Sequence, residues 1–250
     1  MNPFLVLFGY ARAARRLGAR IKSGAEITEI IVEHGRAKGV KTQDGTVYYA
    51  NTIINCSGVQ SPRIGKMLGI DIPIIPRRGQ IVVTEPIAPV IHTVMMCARV
   101  YVIKHNPAAG SYLSPKVLKM GTNIGIEQSV DGSILLGSTS ELGYGKNVTT
   151  LDAIEAITAR AVKFMPFLKN YRTIRTFAGL RPHTPDGRPI LGKVDEIEGF
   201  LMAAGHDGDG ICLGPPTGLL MSELVCDGMT TSFPIEEFNL RRFNKNLVEN

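Results

Sequence analysis

Residues 203–218, AAGHDGDGICLGPPTG, form the stretch that decides the fold of this chain. The apolar run Gly199–Ala204 predicts a strand, the glycine-rich stretch at 205–210 predicts a turn, and a closing helix is predicted over Thr217–Asp227. Glycines let the backbone approach a ligand closely and present its N–H groups, and a helix start adds about half an elementary positive charge. The stretch therefore favours binding of an anion or an electron-rich ring, although a plain surface turn has the same composition.

A second stretch, AGLRPHTPDGRPILG at 178–192, is stiffened by three prolines and three glycines. It holds Arg181, and an arginine recognises a carboxylate through a planar fork with two donors. The alternative for an isolated arginine is a surface salt bridge, worth at most about 1 kcal/mol. The pair Asp186-Gly187 indicates a turn rather than a catalytic role.

The remaining pattern indicates two compositional regions that meet near Ile70, where prolines and β-rich runs begin. A helix is predicted over Pro3–Leu17, because proline suits the first turn and Gly18 supplies the stop. The clearest amphipathic helix is predicted over Leu151–Leu168, and a short one over Pro62–Leu68. Strands are predicted at Ala19–Ile21, Ile27–Glu33, Ala37–Thr42, Val47–Ala50, Thr52–Cys56, Gln80–Thr84, Val100–Lys104, Ser111–Leu113, Ser133–Gly137, Thr173–Ala178 and Gly199–Ala204.

The composition is that of an ordinary globular protein. The 250 residues are 44% hydrophobic and 20% charged, and no run of 18 apolar residues predicts a transmembrane helix. The start at Met1 lacks a signal-peptide pattern, so we expect a cytoplasmic chain. The net charge of +6 is scattered without interleaved aromatics, which argues against a nucleic-acid partner. The four cysteines form no CxxC pair, so reduced thiols and no metal site are predicted.

Four stretches in combination resemble the D-amino-acid oxidase superfamily: 203–218, 178–192, GQIVVTEP at 79–86 and ILLGST at 134–139. The most similar branch contains glycine oxidase, sarcosine oxidase β chains and the flavin subunits of proline, hydroxyproline, opine and cyanide-forming glycine dehydrogenases. The resemblance runs over nearly the whole chain and implies an α+β fold. Residues 1–69 would be the remnant of a Rossmann-like, glutathione-reductase-type FAD-binding domain. Residues 70–178 would form a β-rich substrate domain with a mixed sheet flanked by helices, and 179–250 would return to the FAD-binding domain with a C-terminal helix.

The resemblance also implies roles for individual residues. Ile27 stands where the family's valine contacts the adenine half of FAD through its backbone, and Gly58 ends a small-residue turn that passes near the FAD phosphates. Arg181 matches an arginine that binds the substrate carboxylate in glycine oxidase. The loop around the isoalloxazine ring, together with the start of the closing helix, would comprise Gly205, His206, Asp207, Gly208, Asp209, Gly210, Ile211, Cys212 and Thr217.

Two departures separate the chain from the family pattern. Gly208 stands where glycine oxidase has a second arginine, and the form GHDGDG is more similar to the multi-subunit dehydrogenases. The βαβ unit with GxGxxG, and the acidic residue that holds the ribose, are not found in the sequence. Three tyrosines are candidates for the substrate pocket, with plain packing as the alternative: Tyr101, Tyr112 and Tyr144.

The function implied by the resemblance is FAD-dependent oxidation of the C–N bond of a small amino acid or secondary amine. A hydride would pass to flavin N5 and leave an imine, within a larger flavoprotein that has electron-accepting partner subunits or associates with itself. The alternative is a truncated, non-catalytic chain that folds and associates with partner subunits but does not bind FAD alone, because pyrophosphate contacts are missing and open strand edges invite pairing.

Overall fold

The computed structural model describes residues 2–98, 102, 106, 108 and 115–243. Packing divides the chain into two units, one formed by Met1–Ile74 with Thr184–Asn250 and the other by Ile75–His183. The predicted domain limits of 70 and 178 lie within five residues of these bounds, and the functional naming of each domain stays a prediction. Among the described residues, no helix has both the length and the apolar character that a membrane span requires.

The first unit begins with helix α1 (Pro3–Arg16). Its start is capped by the Asn2 side chain, whose oxygen accepts a hydrogen bond of 3.0 Å from the Phe4 N–H. Strands β1 (Ile27–Glu33), β2 (Arg36–Thr42) and β3 (Val47–Tyr49) form an antiparallel meander. Strand β4 (Ile53–Asn55) then leads through a 3₁₀ turn at Gly58–Gln60 into helix α2 (Ser61–Met67).

The second unit contains strands β5 (Ile75–Thr84), β6 (Met95–Met96), β7 (Gly125–Gln128), β8 (Ile134–Gly137), β9 (Glu141–Leu142) and β10 (Thr173–His183), with helices α3 (Pro115–Met120) and α4 (Leu151–Phe164). The sheet order is β10-β5-β8-β7-β6, and β9 pairs with one end of β5. Thr150 caps α4 through its side-chain oxygen. The buried core lies between α4 and one face of the sheet and includes Val82, Leu136 and Ile157.

The chain returns to the first unit with β11 (Ile190–Lys193), β12 (Phe200–Ala204) and helix α5 (Gly210–Cys226). Strand β12 pairs with β11 antiparallel and with β4 parallel, so β4 is an edge strand of this sheet among the described residues. One core of the unit contains Ile72, Phe200 and Met202. A second core packs Leu201 and Ala203 against α5.

The structure departs from the sequence expectations at several places. Every described strand pair of the second unit is antiparallel, and among the described residues parallel pairing occurs in the first unit, between β12 and β4. Ala19–Ile21 forms no strand. Ser111–Leu113 lies outside the described residues, and of Val100–Lys104 only Val102 is described, which is helical because its N–H bonds to the Ala98 carbonyl. The closing helix begins at Gly210 and not at Thr217.

Candidate functional site

The glycine-rich segment turns sharply from β12 into α5. Gly205 has φ +87°, and a Cβ there would lie 2.7 Å from the Thr184 side chain, so only glycine lets the backbone pass at this point. Asp207 also has a positive φ, of 48°, which is an uncommon conformation for a residue with a side chain. Helix α5 starts directly after Asp209, whose carbonyl accepts hydrogen bonds from the Cys212 and Leu213 N–H groups. The predicted turn is therefore present, with its helix attached without an intervening loop.

Helix α5 contains two consecutive prolines, and this explains why its start was predicted too late. Pro215 and Pro216 have no N–H, so the carbonyls of Ile211 and Cys212 lack the usual donor four residues ahead. A sequence interpretation places prolines at a helix start, and the first residue after them is Thr217. In the structure Thr217 lies about two turns inside the helix, so the N-terminal positive charge belongs to Gly210 and its neighbours.

His206 is held by a hydrogen bond to the side chain of Thr217. The distance from its Nε2 to the Thr217 Oγ1 is 2.9 Å, and the Thr217 residue is buried. Burial lowers the pKa of His206 below its ordinary value, because the charged imidazolium loses hydration. The imidazole is therefore neutral at neutral pH, and its ring nitrogens offer one donor and one acceptor.

Two cavities flank the edge strand β4 and bring several predicted cofactor residues together. His206 and Thr217 line a cavity of about 600 Å³, which Ile54 and Cys56 also line. Ile27 lines a second cavity of about 410 Å³, to which Ile54 and Cys56 contribute as well. The cavities therefore share the residues of β4 and its end. Their volumes fall in the range of small-molecule sites.

Gly58 follows the shared residue Cys56 by two positions. It has φ +57°, and a Cβ there would meet nothing within 4 Å, so its left-handed conformation favours glycine although the space beside it is open. Gly210 and Ile211 line a third cavity of about 530 Å³ between α5 and α1. Six predicted cofactor residues line none of these three cavities: Gly58, Gly205, Asp207, Gly208, Asp209 and Cys212.

The residues of the first unit fit a flat aromatic cofactor such as a flavin. Gly214 and Gly218 line the cavity of about 600 Å³ beside His206, and a Cβ at either glycine would meet nothing within 4 Å. This bare helix face leaves room for a ring, and no acidic residue occupies the first turn of α5. The neutral His206 adds a hydrogen-bonding group without a charge.

Arg181 lies on β10 in the second unit, where it contacts the turn after β8. Its guanidinium donates hydrogen bonds to the Ser138 Oγ at 3.0 Å and to the Thr139 carbonyl at 3.3 Å. A Cβ at Gly79 would lie 2.5 Å from either terminal guanidinium nitrogen, so the side chain lies directly over this glycine. Gly79 is therefore required for the position of Arg181.

A buried polar network supports the same turn, and the sequence interpretation missed it. Glu141 accepts hydrogen bonds from Arg78 at 2.6 Å, from Gln80 at 2.6 Å and from the Thr139 hydroxyl at 2.8 Å. Burial alone would raise the pKa of Glu141, but the hydrogen bonds from Arg78, Gln80 and Thr139 outweigh burial and lower it. Thr139 thus links the network to Arg181 through its own backbone carbonyl.

Of the three tyrosines that are candidates for the substrate pocket, the structure describes one. Tyr101 and Tyr112 lie outside the described residues. The Tyr144 ring lies against Arg78, with 4.7 Å between the guanidinium carbon and the ring centroid. It lines a cavity with Arg78 and Glu141 in the second unit. Its observed contact is therefore with the buried network.

The fold class is that of D-amino-acid-oxidase-type oxidoreductases, because the structure superposes on solved members. L-proline dehydrogenase from P. horikoshii aligns with a TM-score of 0.83 at 26% identity, over 98% of this chain and 60% of that one. Glycine oxidase from Geobacillus kaustophilus aligns with a TM-score of 0.76 at 26% identity, over 93% of this chain and 56% of that one. The predicted α+β class is confirmed.

The chain belongs to the FAD dependent oxidoreductase family, whose sequence profile matches residues 1–224. It is 32% identical over 245 residues to hydrogen cyanide synthase subunit HcnC of Pseudomonas aeruginosa, which covers 97% of this chain and 52% of that protein. It is 31% identical over 225 residues to glycine oxidase of Pseudomonas putida, covering 90% of this chain and 54% of that protein. The resemblance to the D-amino-acid oxidase superfamily is confirmed, and the chain spans about half the length of these curated relatives.

Proposed function

We propose that this chain forms part of a flavoprotein that binds FAD and oxidises the C–N bond of a small amino acid or secondary amine. The observation that carries the proposal is the pair of cavities around β4, which gathers Ile27, Cys56, His206 and Thr217 in the first unit. Family membership supports the same cofactor. The names of the relatives, glycine oxidase and hydrogen cyanide synthase subunit, support a small amino-acid substrate.

The residues of the first unit would hold the cofactor. The bare face of α5 at Gly214 and Gly218 would lie against the ring, and the N–H groups at the start of the helix would face negative charge on it. His206 would donate or accept a hydrogen bond at the ring without adding a charge. FAD, when bound, supplies the acceptor for the hydride that leaves the carbon bearing the nitrogen.

Arg181 would hold the substrate. Its guanidinium is fixed by Ser138 and Thr139, so a carboxylate bound to it would meet a donor fork whose orientation is already set. A preset orientation lowers the barrier because the reacting carbon is positioned before reaction. No side chain is proposed as an acid or base, since hydride loss from a neutral amine requires none.

The cofactor proposal is tested by titrating the purified chain with FAD and following the visible flavin spectrum. Gly218→Leu would fill the space beside His206 and Thr217, so we expect at least a tenfold loss of FAD affinity. Gly9→Leu is the matched control, because that glycine is in α1 and a Cβ there also meets nothing within 4 Å. Equal affinities for the two variants would contradict the proposed cavity.

The substrate proposal is tested with Arg181→Leu and Arg181→Lys in the FAD-loaded protein. We expect the leucine variant to raise KM for carboxylate substrates by about 100-fold, in line with loss of a charged pair, and the lysine variant to recover part of it. Unchanged KM values in both variants would contradict the assignment of Arg181 to the substrate site.

A second candidate function is association with partner chains without flavin binding. The observation that favours it is the apolar surface of α1, where Phe4, Leu5 and Phe8 are all exposed. Such a surface marks interaction sites in soluble proteins. A chain that stays colourless with excess FAD, and whose sedimentation shows association, would support this second function.

A further inference from the structure

Among the residues that the structure describes, the sheet of the second unit has one covered face and one open face. Helix α4 packs on the face that carries Gln80, Val82 and Leu136. The opposite face carries Arg181 and Arg77, which are direct partners across β10 and β5 and therefore point to the same side. The open face is thus cationic at one end.

A cavity of about 230 Å³ lies on this open face. Its members Ile81, Gly137 and Gly125 are successive cross-strand partners on β5, β8 and β7. Ile81 is two residues from Gly79, so it shares the face of Gly79 and lies about 7 Å further along the strand. Ser138 lines the cavity and also accepts the hydrogen bond from Arg181, which joins the cavity to the cationic end.

The cavity is mainly apolar, and two glycines form part of its wall. Ile81, Leu135 and Met96 supply aliphatic surface, while Gly125 and Gly137 add no side chain. The space is several times the volume of about 30 Å³ that one water occupies in the liquid. An aliphatic side chain of a ligand would fill this space with favourable burial of apolar surface. The single hydrogen atom that is the side chain of glycine would leave the space empty.

Two polar groups in the wall restrict the ligand further. The Asn123 Oδ1 is buried and accepts no hydrogen bond among the described residues, so it offers an acceptor for an amine. The exposed carboxylate of Glu127 also lines the cavity and would repel a second acidic group.

We infer that the substrate is an α-amino acid with an aliphatic side chain, and neither glycine nor an acidic amino acid. This inference rests on the proposed function, since it assigns the substrate class of the Arg181 site. The carboxylate binds Arg181, the amine donates to Asn123, and the side chain lies over Gly125, beside Ile81, whose own side chain covers Gly137.

The inference is tested by ligand binding to the chain without added FAD. Titrations with glycine, L-valine, D-valine, aspartate and isovalerate are followed through the backbone amide NMR signals of Gly125 and Gly137. We expect one valine enantiomer to bind at least tenfold more tightly than glycine, since a single methylene in an apolar pocket is worth about tenfold. Isovalerate, which lacks the amine, and aspartate should both bind more weakly than that enantiomer. Equal binding of glycine and both valines, or tighter binding of aspartate, would overturn the inference.

Two cavity variants and one control test whether the amino acid binds in this cavity. Gly125→Val places its Cβ 3.2 Å from the Gly137 carbonyl oxygen and its methyl groups in the cavity, so the preference for valine should vanish. Gly145→Val is the matched control in the same unit, with no atom nearer than 3.9 Å to its Cβ. Leu135→Ala, which enlarges the cavity, should shift the preference from valine towards phenylalanine. An unchanged preference in both cavity variants would also overturn the inference.

The binding test separates this inference from the proposed function. A preference for valine in a chain that never takes up FAD would support the inferred substrate class and contradict the proposed FAD-dependent oxidation. Uptake of FAD with turnover of glycine in preference to valine would support the proposed oxidation and contradict the inferred substrate class.

Discussion

Helices α1 and α4 each have 14 residues and an apolar side, but within the described part of the chain only α4 buries residues of that side. Helix α4 buries Ala153, Ile157 and Ala161 against the sheet of its unit. Helix α1 has no buried residue, and its Leu5 is 70% exposed. An amphipathic pattern therefore predicts a helix and its apolar side, while the partner that covers this side comes from elsewhere in the chain or from outside it.

The unit that contains α4 also holds a buried pair of charges, whereas α1 has no buried residue. The ion pair of Arg78 and Glu141 has side chains only 5% and 6% exposed. Its charges are out of water, so each depends on the other and on the surrounding donors. Substitutions in the two regions should therefore differ strongly in their effect on stability.

The largest effect is expected for Glu141→Gln. It removes the charge that compensates Arg78, so the free energy of unfolding of the second unit should fall by about 3–5 kcal/mol. Denaturant unfolding followed by circular dichroism measures this change. Glu29→Gln is the surface control, because its ion pair with Lys41 spans 3.9 Å and is exposed, and it should change stability by less than about 1 kcal/mol. Similar losses in both variants would mean that the network is hydrated in solution.

The next effect is expected for Ile157→Ala in α4. Ile157 is fully buried in the core of the second unit, so the truncation leaves a cavity and should cost about 2–5 kcal/mol. Thermal or denaturant unfolding measures it. A loss below about 1 kcal/mol would show that α4 packs loosely on the sheet.

The local elements of this chain follow from local patterns. Pro3 and Gly18 predict α1, and the runs Ile27–Glu33, Ala37–Thr42 and Val47–Ala50 predict the strands of the meander, whose turn residues Gly35 and Gly45 have positive φ. Arg181 was identified because stiff neighbours surround it in sequence. These features depend on residues close together along the chain, so short-range chemistry is enough to predict them.

The remaining features depend on distant residues. Glu141 meets Arg78 across 63 positions, and no spacing rule connects them. Pro215 and Pro216 favour a helix start locally, whereas in the structure the Asp209 carbonyl accepts hydrogen bonds from the Cys212 and Leu213 N–H groups, and α5 begins at Gly210. The antiparallel sheet likewise follows from pairing partners that the pattern of single strands does not identify.

A smaller and pH-dependent effect is expected at His206. Its pKa is lowered in the folded chain, so the unfolded chain binds more protons between that pKa and the ordinary value of 6.5. Stability should therefore fall as the pH drops below about 6.5 and should show no His206 contribution well above it. Urea midpoints at several pH values measure the slope, which His206→Gln should reduce. His92→Gln, at an exposed position, is the matched control, and an equal reduction there would contradict the assignment.

The smallest effect is expected for Leu5→Ala in α1, the direct counterpart of Ile157→Ala. Leu5 loses little burial on truncation, so the free energy of unfolding should change by no more than about 0.5 kcal/mol. Unfolding at low and high protein concentration measures it. A loss as large as that of Ile157→Ala, growing with concentration, would show that another chain covers α1 in solution, because only association makes stability depend on concentration. The contrast between the two helices would then be one of partners, with α4 covered by its own unit and α1 by a second molecule.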